Sequence, residues 1–267
     1  MSYLERGGVS IYYQCFGRSP DQPPALPRPA PPEPGKLPLL LSHGFGATSA
    51  MWDPNIAALS AQRQVITWDL RGHGRSGCPD EPGEYTQAAC VEDMVAVLDA
   101  AGAAQAVLGG LSLGGYLSLA FCLRYPERVA ALLLCDTGPG FRSDEARQRW
   151  NDRAAGTASR LERDGLAALR GGLRYAVEST PRGLALAARG ILTQQDARVI
   201  DSLPSIAVPV LVLVGARDEA FLGAADYATA KIPGARQAVI PDAGHMCNID
   251  QPELFDEQVL KFLDDLT

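Results

Sequence analysis

Ala106-Val107-Leu108-Gly109-Gly110-Leu111-Ser112-Leu113-Gly114-Gly115 decides how this chain folds. A short apolar run, of the kind that is buried on both faces of a sheet, leads without a break into Ser112. An apolar, helix-like segment, 113–125, follows at once. Gly110-x-Ser112-x-Gly114 between a strand and a helix describes a very sharp turn. It holds the serine in a strained backbone conformation, with the hydroxyl at the sheet edge and a helix N-terminus beneath it. Glycine and serine are common, so the five residues mean little alone. Their place between strand and helix makes them a nucleophile elbow.

Working outward, short apolar runs recur at 37–41, 64–68, 106–109, 129–135, 208–214 and 237–240. Helix-like stretches at 52–60, 88–101, 113–125, 222–230 and 253–266 lie between or after them. That alternation predicts a mostly parallel sheet covered by helices on both faces. An early strand is expected at 9–16, paired with 3–5. Residues 141–204 break the pattern: no strand is expected, and Gly156, Gly165, Gly171, Gly172, Pro181 and Gly190 suggest several short helices. This interval holds eleven arginines and no lysine against eight acids, a balance of +3 in a chain whose total is −7. It reads as a helical insertion over the C-terminal edge of the sheet, where open α/β sheets bind ligands. Residues 19–36 hold eight prolines and read as an extended surface connection rather than a docking segment for SH3- or WW-type partners.

With 267 residues, 46% hydrophobic and 21% charged, the chain is long enough to bury one large core. Its acidic balance argues against nucleic acid or an anionic membrane as partner. The first ten residues carry no secretory pattern, and a cytoplasmic location is expected. The uncharged stretch 100–123 is diluted by five glycines, Gln105 and Ser112, so it reads as strand, turn and buried helix rather than a membrane span. Six scattered cysteines without a CxxC pair suggest free buried thiols. Cys247 is the one expected to report on thiol reagents. No dinucleotide fingerprint, phosphate-binding loop, HExxH helix or calcium loop is present, and neither cofactor nor metal is expected.

A serine hydroxyl is a poor nucleophile near neutrality and needs an adjacent base. Only three histidines are available. His43, in His43-Gly44-Phe45-Gly46, and His73, in Asp69-Leu70-Arg71-Gly72-His73-Gly74-Arg75-Ser76, are expected to brace their own loops. His245, beside Gly244 after the last strand, is the expected base. An orienting carboxylate must hold the other ring nitrogen. Asp218, after the 208–214 strand, is expected there, and Asp136, one strand earlier, is the competitor. The developing oxyanion needs fixed donors, for which the main-chain N–H groups of Phe45 and Leu113 qualify. Leu111, Leu113, Met246, Phe45, Tyr116, Phe141 and Trp150 are candidates for an apolar substrate pocket.

These motifs, His43-Gly44-Phe45-Gly46, Asp69-x-Arg71-Gly72-His73-Gly74-x-Ser76, Gly110-x-Ser112-x-Gly114-Gly115, Gly215-x-x-Asp218 and Gly244-His245, resemble those of serine hydrolases of the α/β-hydrolase superfamily over essentially the whole chain. Segments 244–253 and 124–128 are similar to carboxylesterases and 3-oxoadipate enol-lactonase-like members. The resemblance implies an α/β-hydrolase fold, a mostly parallel eight-stranded sheet flanked by helices with a helical lid insertion. Residues 1–140 and 205–267 would form the core and 141–204 the lid. It also implies a small-molecule ester or lactone substrate, with C–C bond hydrolysis and perhydrolysis as alternatives within the enzyme class. The alternative outside that class is a hydrolase-like receptor.

Overall fold

A computed structural model describes residues 2–17, 36–169, 175, 176 and 178–266. The proline-rich connection falls outside the described residues, apart from Lys36. The strands are β1 (Ser2–Arg6), β2 (Val9–Phe16), β3 (Leu39–Ser42), β4 (Val65–Trp68), β5 (Ala106–Leu111), β6 (Val129–Cys135), β7 (Val210–Gly215) and β8 (Arg236–Ile240). They form one sheet in the order β1-β2-β4-β3-β5-β6-β7-β8. β2 runs antiparallel to β1 and β4, and every pairing from β4 to β8 is parallel. This is the α/β-hydrolase fold. β3, β4, β5 and β7 are buried along their whole length, which is why they read as continuous apolar runs rather than alternating ones.

The helices are α1 (Asp53–Leu59), α2 (Gln87–Ala100), α3 (Leu113–Arg124), α4 (Asp144–Asp164), α5 (Pro181–Gly190), α6 (Arg198–Ser202), α7 (Glu219–Lys231), α8 (Cys247–Asp250) and α9 (Pro252–Asp264). One apolar cluster joins α2, α3 and α7 to one face of the sheet, and a second joins α9 to the other. Ser143, Thr86 and Thr180 cap α4, α2 and α5 by accepting a backbone N–H from three residues on.

The expectation of short helices after residue 141 is wrong for α4, which spans 21 residues. Gly156 lies inside it without breaking it. Its neighbours Ala154, Ala155 and Ala158 are strong helix formers, and one interior glycine costs only about 1 kcal/mol. Gly165, at φ +64°, marks the end of the helix instead. α4 and α5 share a small cluster of their own, Ala158, Leu161, Leu184, Ala185 and Ala188, against which Phe45 packs. No helix among the described residues is long and apolar enough to cross a membrane.

Candidate active site

The turn after β5 is built by exclusion. A Cβ at Gly110 would collide with the main chain of Gly114, and one at Gly114 with the Ser42 carbonyl. At Gly115 it would lie 2.6 Å from the Thr137 methyl. With that space empty, the chain folds back so tightly that Ser112 takes φ +54°, a left-handed conformation that costs a serine about 1–3 kcal/mol. Ser112 is also the N-cap of α3, so the positive end of that helix lies under its hydroxyl.

Beside it runs the loop after β3. A Cβ at Gly44 would stand 3.5 Å from that of Ser112, so the Gly44-Phe45 main chain lies directly against the serine. Among the described residues, the Phe45 and Leu113 amides have no acceptor within the protein. Leu113 follows Ser112 directly in the chain, and Phe45 follows Gly44 in the loop that abuts it.

Asp218 and His245 arrive from β7 and β8. Gly215 permits this, since a Cβ there would collide with the Gly244 carbonyl and approach that of Ala243 to 2.5 Å. Pressed together, the two loops bring the Asp218 Oδ2 to 2.7 Å from His245 Nδ1. Asp218 is 7% exposed, and the imidazole is stacked on Phe221 at 4.8 Å between ring centres. An Nδ1–H that donates to the carboxylate leaves the Nε2 lone pair free.

Asp136, the competing carboxylate, is fully buried. Its Oδ1 accepts the Gly215 N–H at 2.8 Å and its Oδ2 the Cys247 N–H at 3.2 Å. It therefore ties together the two loops that present Asp218 and His245. Burial pushes its carboxyl above the usual range, against the pull of those two N–H donors.

The other histidines brace loops. The Leu70 N–H donates to His43 Nε2 at 2.9 Å, so Nδ1 carries the proton and donates to the Gly44 carbonyl at 2.7 Å. His73 lies 5.1 Å from His43, ring to ring, with Nδ1 3.2 Å from the Arg71 carbonyl. Burial lowers the two to about 4 and about 3 respectively. Below the ordinary histidine value near 6.5, the unfolded chain takes up protons that these rings refuse. Each therefore withdraws about 1.4 kcal/mol of stability per pH unit as the pH falls from 6 towards 4. Asp256, raised to about 6 by burial, acts with the opposite sign. Comparison with His73→Phe isolates one ring: denaturant titrations should show the stability of wild type relative to the variant dropping by about 1.4 kcal/mol per unit over that range. A pH-independent difference would overturn this account.

The rest of the Asp69–Ser76 motif is scaffolding. Arg71 makes a buried two-pronged contact with Asp93, at 2.7 and 2.8 Å, and Asp69 accepts the Ser49 and Arg75 N–H groups.

Above Ser112 lies a cavity of about 380 Å³. Leu113, Tyr116, Phe141 and Trp150 line it, as expected from sequence. Leu111, Met246 and Phe45 do not. Side chains alternate along β5, so Leu111 falls on the same face as Val107 and joins the cluster with Leu41 and Leu133, against which Met246 also packs. Gln87, Thr137, Gln194, Phe221 and Arg153 line the cavity without having been expected there, and among the described residues Arg153 is the single charged side chain of its lining. Cys247, expected to report on thiol reagents, is fully buried with its thiol pushed far up by burial. All six cysteines are free, and the exposed one is Cys78.

A doubly wound sheet with a strained serine at the elbow after β5 defines an alpha/beta hydrolase. The chain belongs to that family, whose model matches residues 39–258. It is 30% identical over 257 residues to a carboxylesterase, YbfK, of Bacillus subtilis, covering 84% of this chain and 79% of that one. It is 29% identical to a putative 2-succinyl-6-hydroxy-2,4-cyclohexadiene-1-carboxylate synthase of the same species, over 83% of this chain and 88% of the relative. Among solved structures, a thermophilic esterase from Thermogutta terrifontis superposes with a TM-score of 0.81 at 28% identity, covering 100% of this chain and 99% of that one. Other relatives are named as putative carbamate hydrolases and enol-lactonases.

Proposed function

We propose that this hydrolase cleaves carboxylic esters through an acyl-enzyme on Ser112. The observation that carries the reading is the 2.7 Å contact between Asp218 and His245, whose ring stacks on a residue lining the same cavity as Ser112. His245 Nε2 takes the Ser112 proton as Oγ attacks the carbonyl carbon. Asp218 holds the ring and offsets the charge it gains. The Phe45 and Leu113 amides receive the oxyanion, donors whose loss typically costs about 10²–10³ in turnover. His245 returns the proton to the departing alkoxide, which leaves as the alcohol. Water, deprotonated by the same nitrogen, then attacks the acyl-enzyme, releasing the acid and restoring the serine hydroxyl. On this reading residues 141–204 form the lid.

The test is labelling with a fluorophosphonate probe at neutral pH. Wild type should be modified at Ser112, and Ser112→Ala should not. An unlabelled wild type favours the hydrolase-like receptor. A second reading, a lactone or ester that itself carries a carboxylate, is favoured by Arg153, the one charged side chain among the described residues that line the cavity. The same protein assayed on p-nitrophenyl esters, lactones and hemisuccinate esters separates the two.

A further inference from the structure

A second cavity, of about 600 Å³, lies on the far side of two side chains that also line the first: Gln87 and Tyr116. The second cavity is walled by Val91 of α2, by Ala120 and Leu123 of α3, and by Val199 of α6, with the charged Arg124, Asp196 and Arg198 also on its lining. Nothing in the reaction above uses it.

The two residues between the cavities are firmly held. Tyr116 stands one helical turn beyond the nucleophile, its N–H donating to the Ser112 carbonyl at 3.1 Å, and it is 7% exposed. The Gln87 side chain lies by the Tyr116 hydroxyl, and its Nε2 donates to the carbonyls of Ile191, at 3.3 Å, and Thr193. The partition thus runs from α3, through the first residue of α2, to the chain beyond α5.

Its position fixes which end of a substrate meets it. Ser112 leaves the middle of the sheet after β5, and His245 follows β8 at one edge. α2 packs against β1 and β2 at the other. Because His245 must protonate the leaving alcohol, that group lies on the β8 flank. The acyl chain is thereby directed to the opposite flank, against Gln87 and Tyr116.

We propose that Gln87 and Tyr116 are the specificity-determining wall of this enzyme. They stop the acyl chain and restrict wild type to short-acyl esters, and their removal opens a continuous tunnel into the second cavity. This rests on the ester-hydrolase reading above. Joining the two spaces would carry the site from the small end to the large end of the range of roughly 300–1,000 Å³ typical of ligand pockets.

The experiment measures kcat/KM for p-nitrophenyl esters from butyrate to decanoate in wild type, Tyr116→Ala and Gln87→Ala. The decanoate-to-butyrate ratio should rise at least about tenfold in each variant, the loss of about 1.4 kcal/mol of discrimination or more. In the Tyr116→Ala background, Ala120→Trp, at a position that lines the second cavity and not the first, should block the opening and return the ratio to near that of wild type. If Tyr116→Ala does not fold, as judged by its melting transition, Tyr116→Val replaces it. Ratios within twofold of wild type in folded, fluorophosphonate-labelled variants would overturn the wall. So would a gain that Ala120→Trp leaves intact. Failure of wild type itself to label would instead remove the parent reading.

Discussion

Ser112→Ala is expected to reduce ester turnover by about 10⁶, and His245→Ala by a similar factor, with the double variant scarcely worse than either. The reason lies in how the three groups depend on one another. Without the imidazole, the hydroxyl keeps its proton and is a weak nucleophile despite its backbone strain. Without the hydroxyl, the imidazole has no attack to assist. Residual activity would come from the Phe45 and Leu113 amides and from the cavity walls, which both variants retain. Steady-state kinetics on a p-nitrophenyl ester measure the effect, with substrate binding followed separately to show that the cavity persists. Activity within tenfold of wild type in either single variant would remove the acyl-enzyme from the mechanism.

Asp218→Asn should cost about 10⁴ in turnover, the scale seen when a triad carboxylate elsewhere becomes an amide. The amide can present its NH2 to Nδ1, which turns the ring to the tautomer that lacks a free Nε2 lone pair. Asp136→Asn should behave differently. Its carboxylate accepts two main-chain N–H groups, from Gly215 and Cys247, and an amide cannot accept both as well. The expected loss is one of stability, about 1–3 kcal/mol, with turnover remaining far above that of Asp218→Asn. Denaturant melts and kinetics on the two variants, run in parallel, decide. The reverse pattern would assign the orienting role to Asp136.

Much of this was legible in the sequence because it is local. Strands buried on both faces must be apolar throughout, so β3 to β7 could be read to within a residue or two. The elbow showed itself because its three glycines occupy positions where no carbon fits. Asp218 and His245 could be placed at strand ends and paired by the need for an orienting carboxylate, but the geometry that brings them into contact could not be read. That contact depends on the close approach of the loops at Gly215 and Gly244, and nothing in either segment alone states it. The cavity walls were the least legible part. Gln87, Thr137, Gln194 and Phe221 belong to four separate segments, and their convergence is a product of tertiary packing. Leu111 was misplaced because nearness to the nucleophile in sequence says little about direction, which the strand's two-residue period reverses at each step. The length of α4 was hidden by Gly156, whose cost its alanine neighbours outweigh.

The crowding at the elbow also bears on how such an enzyme diversifies. Gly110, Gly114 and Gly115 admit not one additional carbon, since the main chain or Thr137 already occupies the space. Close-packed interiors respond to even a methylene, so random change at these positions is a dead end for acquiring new chemistry. Phe141, Trp150, Arg153, Leu192 and Gln194, all from residues 141–204, line the same cavity. Descendants of this protein can therefore explore new substrates by varying those five positions while inheriting the turn at Ser112 unaltered.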